Sequence, residues 1–268
     1  MHVHFLDPYR PRPSPVHRLD PRVKFVLAVV FIFTVTLMPI GAWPIYILLF
    51  SIALSIEILS ELGVSYVLKR SALAIPFVLA ALPLIFTVKG SPLFSIALGN
   101  WTLSASQAGL ERFASIAFKS WISVQAAIVL AASTPFPDLL AAMRGVGVPR
   151  LLVAIFGLMW RYLFVLVDEA LRLIRARAAR SGHSGQPGAR PGGSLIWRAR
   201  VAGGMAGNLF LRAFERSERI YNAMLSRGYN GEVRALPLPG VSRLGWLTLA
   251  GGLALFILLL VFASLFWS

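Results

Sequence analysis

The chain has 268 residues, 57% of them hydrophobic, and a mean hydropathy of +0.73, which excludes an ordinary soluble domain and marks an integral membrane protein. Its formal charge of +15 comes with no nucleic-acid-binding motif, so it points to basic loops beside anionic lipid on the cytoplasmic face. The lack of cysteine excludes a disulfide framework, a thiolate metal site and a thiol nucleophile.

The first residues are polar and Pro-rich, with Arg10, Arg12, Arg18, Arg22 and Lys24, and no small-residue cleavage site follows; this reads as an uncleaved start. Apolar runs then fall at 24–38, 43–60, 71–88, 113–133, 150–167 and 245–267, against the roughly 20 helical residues that span a ~30 Å hydrocarbon core. The basic N-terminus, Lys69 with Arg70, and Arg144 with Arg150 all belong inside, and all three assignments agree. A crossing at 150–167 would then expel the stretch from Arg172 to Arg243, with its thirteen arginines. The segment 149–180 is therefore expected to be a long cytoplasmic helix. Arg161 agrees, since an arginine at a bilayer centre costs at least ~2.5–3.5 kcal/mol, and its neighbours Trp160 and Tyr162 favour interfaces.

The expectation is thus an all-α integral membrane protein with about five transmembrane helices, N-terminus in and C-terminus out. Residues 1–134 form a four-span membrane domain, 135–242 a cytoplasmic helical segment, and 243–268 a last transmembrane helix anchored by Trp246 and Trp267. Lys119 is expected to snorkel to the outer surface, and Glu57 to pair with Lys or Arg at the inner one.

Within 135–242 the pattern predicts a short helix over 137–144, a helix from 149 to about 180 with an Asp168–Arg172 pair, a flexible linker over 181–194, and a helix over about 195–227. Leu209, Phe210, Phe214, Tyr221, Met224 and Leu225 share one side of the last; Arg212, Glu215, Arg216 and Arg219 share the other. Gly203, Gly204 and Gly207 have the small-residue spacing that lets another helix approach closely. Both long helices end in a small-Arg-small triplet, Ala179–Arg180–Ser181 and Ser226–Arg227–Gly228. One such triplet is ordinary: a cation offsets the macrodipole and glycine stops the helix. Two on one membrane face suggest arginines held out to pair with carboxylates. The basic residues lean the same way, with lysine only at 24, 69, 89 and 119 and the other 22 all arginine.

"SPVHRLDPRVKF", "STPFPDLLAAMRGVGVPRLL", "RYLFVLVDEALRLIRARAARSG" and "ERSERIYNAMLSRGYNG" together resemble the transmembrane T component of energy-coupling factor (ECF) transporters, a class of ABC importers, in its cobalt-type CbiQ branch. The family's two signature triplets fall on Ala179, Arg180, Ser181 and on Ser226, Arg227, Gly228. The second begins with Ser where Ala is commoner. The resemblance implies coupling helices whose arginine tips insert into the grooves of a cytoplasmic ABC ATPase dimer, while their apolar faces support a separate membrane substrate-binding subunit. The implied cargo is a transition-metal ion, cobalt first and nickel next.

The chain has no G-x-x-x-x-G-K-[ST] loop, so it is expected to be non-catalytic, with no cofactor of its own. His2, His4, His17 and His183 are its only histidines and are not expected to hold a metal. The alternatives are a scaffold that merely binds lipid, a T component serving a vitamin-type subunit, and an intramembrane lipid enzyme. The enzyme is disfavoured by the want of a close carboxylate pair within the apolar runs.

Overall fold

The computed structural model describes residues 8–98, 101–180, 194–231 and 240–267. They fall into two units, one of residues 8–147 with 240–267, the other of 148–180 with 194–231. The first is a bundle of apolar helices. Ser14 caps α1 (Pro15–Arg18). Asp20 caps α2 (Pro21–Leu37), its carboxylate accepting from Arg22 N–H at 2.8 Å, with Pro21 in the first helical position. Met38 ends α2 in an extended conformation, as expected of a residue before proline. After Gly41, at φ 83°, α3 (Trp43–Leu59) begins with Pro44 in its first turn.

The apolar run expected at 71–88 is not one rod. It is divided into α4 (Val64–Ser71), a 3₁₀ turn (Ala72–Ala74), α5 (Ile75–Ala80) and α6 (Leu84–Thr87), because Pro76 and Pro83 each remove a helical donor and crowd the preceding turn. Taken together, Val64–Thr87 is still long and apolar enough to cross a membrane. An antiparallel hairpin follows, β1 (Pro92–Leu98) with β2 (Trp101–Ser106), pairing Leu98 with Trp101. It is the one sheet among the described residues. The 27-residue α7 (Gln107–Ser133) is capped by Ser106, which accepts from Gly109 N–H at 3.0 Å. Gly109 is required there: a Cβ would lie 2.6 Å from the Leu84 carbonyl oxygen, so only glycine lets α7 press on α6. α8 (Phe136–Gly145) and α11 (Arg243–Trp267) complete the unit. The unit boundary falls after Gly147; α8, at the expected position, packs on α2 among the apolar helices rather than within a separate 135–242 segment.

The core lies where α2, α3, α7 and α11 meet. Trp43, Tyr46 and Phe50 of α3 interlock with Phe118 and Trp121 of α7, Phe50 and Trp121 stacking at 5.4 Å. Phe31 of α2 meets Phe256 of α11 at 5.6 Å. One end of the bundle gathers the three basic segments. The Arg10 guanidinium lies 3.8 Å above the Tyr66 ring and that of Arg70 at 5.1 Å. Lys24 Nζ donates to Ser133 O at 3.1 Å, and the Arg22 side chain lies against Gly145. At the other end Lys119 Nζ donates to the last carbonyls of α2, those of Thr36 and Met38. Lys119 therefore does not snorkel away; it caps a neighbouring helix. α11 starts at the basic end, with Gly245 beside Val23, and runs along α2. The chain thus leaves this unit and returns to it at the same end.

The second unit holds two 31-residue helices, α9 (Arg150–Arg180) and α10 (Leu195–Leu225), each ~46 Å long at 1.5 Å per residue. By length and composition α9 also qualifies as a membrane span.

Candidate functional site

The tips of α9 and α10 carry the arginines picked out by the triplets. Arg180 is the final residue of α9 and is exposed, as is Ala179; Ser181 lies outside the described residues. At the end of α10 the geometry is complete. Gly228 adopts φ 77°, its N–H donates to Leu225 O at 2.9 Å, and Tyr229 N–H donates to Met224 O at 3.0 Å. These two bonds are the Schellman arrangement, with Arg227 as the last residue before the left-handed glycine. Ser226 and Arg227 are exposed. An arginine so placed stands clear of its own helix, its backbone held by the terminating bonds and its five donors free to meet a planar acceptor.

The helices are joined through one carboxylate. Glu169 Oε1 on α9 accepts from Arg212 Nη1 on α10 at 2.7 Å, and its other oxygen lies 3.5 Å from Arg172. Arg172 thus pairs three residues back with Glu169, not four back with Asp168 as the sequence suggested. Sequence reasoning missed Glu169; its i,i+3 relation to Arg172 is the signal that was there.

Much of the apolar surface of these helices is uncovered. On α9, Leu151, Ile155 and Met159 are exposed; on α10, Phe210, Phe214, Tyr221 and Leu225 are exposed, the two phenylalanine rings lying together at 6.4 Å. Leu209 and Met224 of the same stripe are half-buried. Gly203, Gly204 and Gly207 are open as well: an added Cβ would meet nothing within 4 Å at any of them. Within this chain the contact between α9 and α10 does not run through these glycines. A stripe of large apolar side chains beside a glycine-bared backbone suits a further apolar helix.

The structure corrects one expectation in the first unit. Glu57 does not reach a surface cation; it is 1% exposed and neither carboxylate oxygen has a hydrogen-bond partner. Gln125 is equally buried, its carboxamide also unpartnered. The expectation considered only the position of Glu57 along α3, not the face it turns to α7. His17 is engaged at both ring nitrogens, with Ser14 Oγ at 2.6 Å and Arg10 O at 2.9 Å; since a carbonyl only accepts, Nε2 carries the proton. His2, His4 and His183 lie outside the described residues, and among the described residues no three His, Asp or Glu side chains cluster as metal ligands do.

The family model described as "Cobalt transport protein", CbiQ, matches residues 12–237. The CbiQ cobalt transport protein of Salmonella typhimurium is 28% identical over 190 residues, 66% of this chain and 80% of that one. The energy-coupling factor transporter transmembrane protein EcfT of Brevibacillus brevis is 28% identical over 232 residues, 84% of each. An uncharacterized protein of Methanocaldococcus jannaschii is 28% identical over 235 residues, 86% of this chain and 76% of its own. The matched span contains both arginine triplets and every described helix except α11, so the chain belongs to the CbiQ family and is a transmembrane component of the ECF type of transporter.

Proposed function

We propose that this chain is the coupling subunit of an ECF-type importer for a transition-metal ion, with cobalt the first candidate cargo and nickel the second. Arg180 and Arg227 dock into the grooves of a cytoplasmic ABC ATPase dimer, which supplies the ATP hydrolysis that this chain does not perform. When the dimer closes on ATP, the grooves approach, the arginine tips follow, and α9 and α10 shift against each other about the Glu169–Arg212 link. Their uncovered apolar faces, glycines included, carry the movement to a separate membrane subunit that binds the metal. The observation that carries this reading is the presentation of Arg227 just before a left-handed glycine at the tip of a 31-residue helix, matched by an exposed Arg180 at the end of another.

The cytoplasmic placement of the tips is supported by connectivity. Since the chain leaves and rejoins the bundle at one end, whatever lies between crosses the membrane an even number of times. Two crossings would bury Arg161 of α9 together with several arginines of α10, at ~2.5–3.5 kcal/mol each near the centre. No crossing is favoured, and the basic end of the bundle is then the cytoplasmic one.

The direct test is the Arg180→Ala/Arg227→Ala double variant, assayed for ATPase co-purification in mild detergent and for metal uptake by the assembled complex. Uptake should be lost, either with release of the ATPase or with hydrolysis continuing uncoupled. Normal uptake by a normally assembled complex would remove the mechanism.

A further inference from the structure

Inside the helical bundle lies a cavity of about 420 Å³, bordered by α1, α2, α3, α7 and α11, within the ~300–1,000 Å³ range of small-molecule sites. Its wall is mostly apolar, with Leu27, Val129 and Phe256 prominent, yet five polar residues also line it: Ser133 and Thr248, whose hydroxyls donate to carbonyls of their own helices, and Lys24, Glu57 and Gln125. Lys24 makes one hydrogen bond, to Ser133 O. Glu57 and Gln125 are each 1% exposed and make none among the described residues. A carboxyl and a carboxamide left bare in an apolar interior are strongly unfavourable. An apolar cavity does not readily fill with water, so water alone is a poor solution.

From this we infer that the cavity is a binding site for a neutral, hydroxyl-bearing single-chain amphiphile of the monoacylglycerol kind. Its hydrocarbon occupies the apolar volume, and its hydroxyls donate to Glu57 and exchange bonds with the Gln125 amide, which both donates and accepts. Charge narrows the choice. Lys24 and Glu57 face one cavity, so an anionic head meets the carboxyl and a cationic head meets the ammonium, whereas a hydroxyl head meets no repulsion from either. The exposed rim residues Ile56, Leu59 and Leu255 give a membrane-dissolved lipid an apolar path in. The site is independent of the arginine tips and of the metal cargo.

The test uses the full chain in phosphatidylcholine nanodiscs with a monoacylglycerol bearing a diazirine in its chain, adducts being mapped by mass spectrometry. Adducts should concentrate on Leu27, Val129 and Phe256, and should be competed by mono-olein but not by methyl oleate, which has the chain without the hydroxyls. Gln125→Leu should weaken competition by mono-olein about fivefold, the equivalent of one lost hydrogen bond. Ala28→Phe, which fills the cavity from its wall, should abolish the adducts and serves if Gln125→Leu does not fold. Equal competition by methyl oleate, or adducts spread over the whole exposed apolar surface, would overturn the proposal. So would adducts that vanish on assembly with the other transporter subunits, since the occupant would then be a partner helix.

Discussion

The carboxylate of Glu169 and the guanidinium of Arg212, 43 residues apart in sequence, meet at 2.7 Å and tie the two longest helices together. The Arg212 side chain is 62% exposed, so the pair adds only about 0.2–1 kcal/mol to stability. Its worth lies in setting the register between α9 and α10. Glu169→Gln and Arg212→Gln should therefore each shift the melting temperature little yet lower uptake by the assembled complex several-fold. In a double-mutant cycle the second substitution should add almost nothing to the first. Additive losses in uptake would show that the two residues act separately.

Gly228 fixes where Arg227 points. At φ 77° an alanine is strained by ~1 kcal/mol, enough to favour unwinding of a last turn that nothing else covers. Gly228→Ala should keep the bundle's thermal stability but weaken ATPase co-purification to nearly the level of Arg227→Ala. Gly228→Asn should retain most of it, because asparagine tolerates the left-handed region. Equal retention by the alanine variant would mean that the backbone stop is not what positions the arginine.

Glycines separate internal packing from external docking. Gly109→Ala drives a methyl toward the Leu84 and Ile85 carbonyl oxygens, at 2.6 and 2.8 Å, and should destabilise the isolated chain by about 1–3 kcal/mol, read as a lower melting temperature in detergent. At Gly203, Gly204 and Gly207 alanine enters open space and improves helix propensity, by up to ~1 kcal/mol each. The triple alanine variant should leave the isolated chain as stable or more so, yet recover less of the membrane substrate-binding subunit on co-purification. Unchanged recovery would place that subunit elsewhere.

Periodicity and charge made the helices legible: the predicted bounds 137–144, 149–180 and about 195–227 lie within a few residues of α8, α9 and α10, since caps, prolines and glycines punctuate them locally. Direction and partner were not legible. Lys119 had to choose between water and the end of α2, and the carbonyls of Thr36 and Met38 come from a helix some eighty residues earlier. Glu57 turned inward because its face of α3 meets α7, which no single-segment pattern contains. The hairpin at 92–106 contains no apolar run long enough to stand out by hydropathy, although Gly99-Asn100 between two short apolar-polar stretches is itself a hairpin signal.

Polarity can be read directly because the chain has no native cysteine. Arg12→Cys, at the basic end of the bundle, and Asn230→Cys, just past α10, should resist a membrane-impermeant maleimide on intact cells and react in inverted vesicles. Ile40→Cys, in the loop beyond α2, is 45% exposed and should show the opposite. α9 is apolar enough to cross, so a pairwise crossing by α9 and α10 is the topology to defeat, and Arg12 and Asn230 alone cannot distinguish it. His183→Cys can, since it sits in the sequence between the two helices and a pairwise crossing would carry it to the outside. Protection of His183→Cys in intact cells, with reaction in inverted vesicles, places both arginine tips where an ATPase can reach them. Labelling from outside would put Arg180 beyond the reach of any cytoplasmic motor.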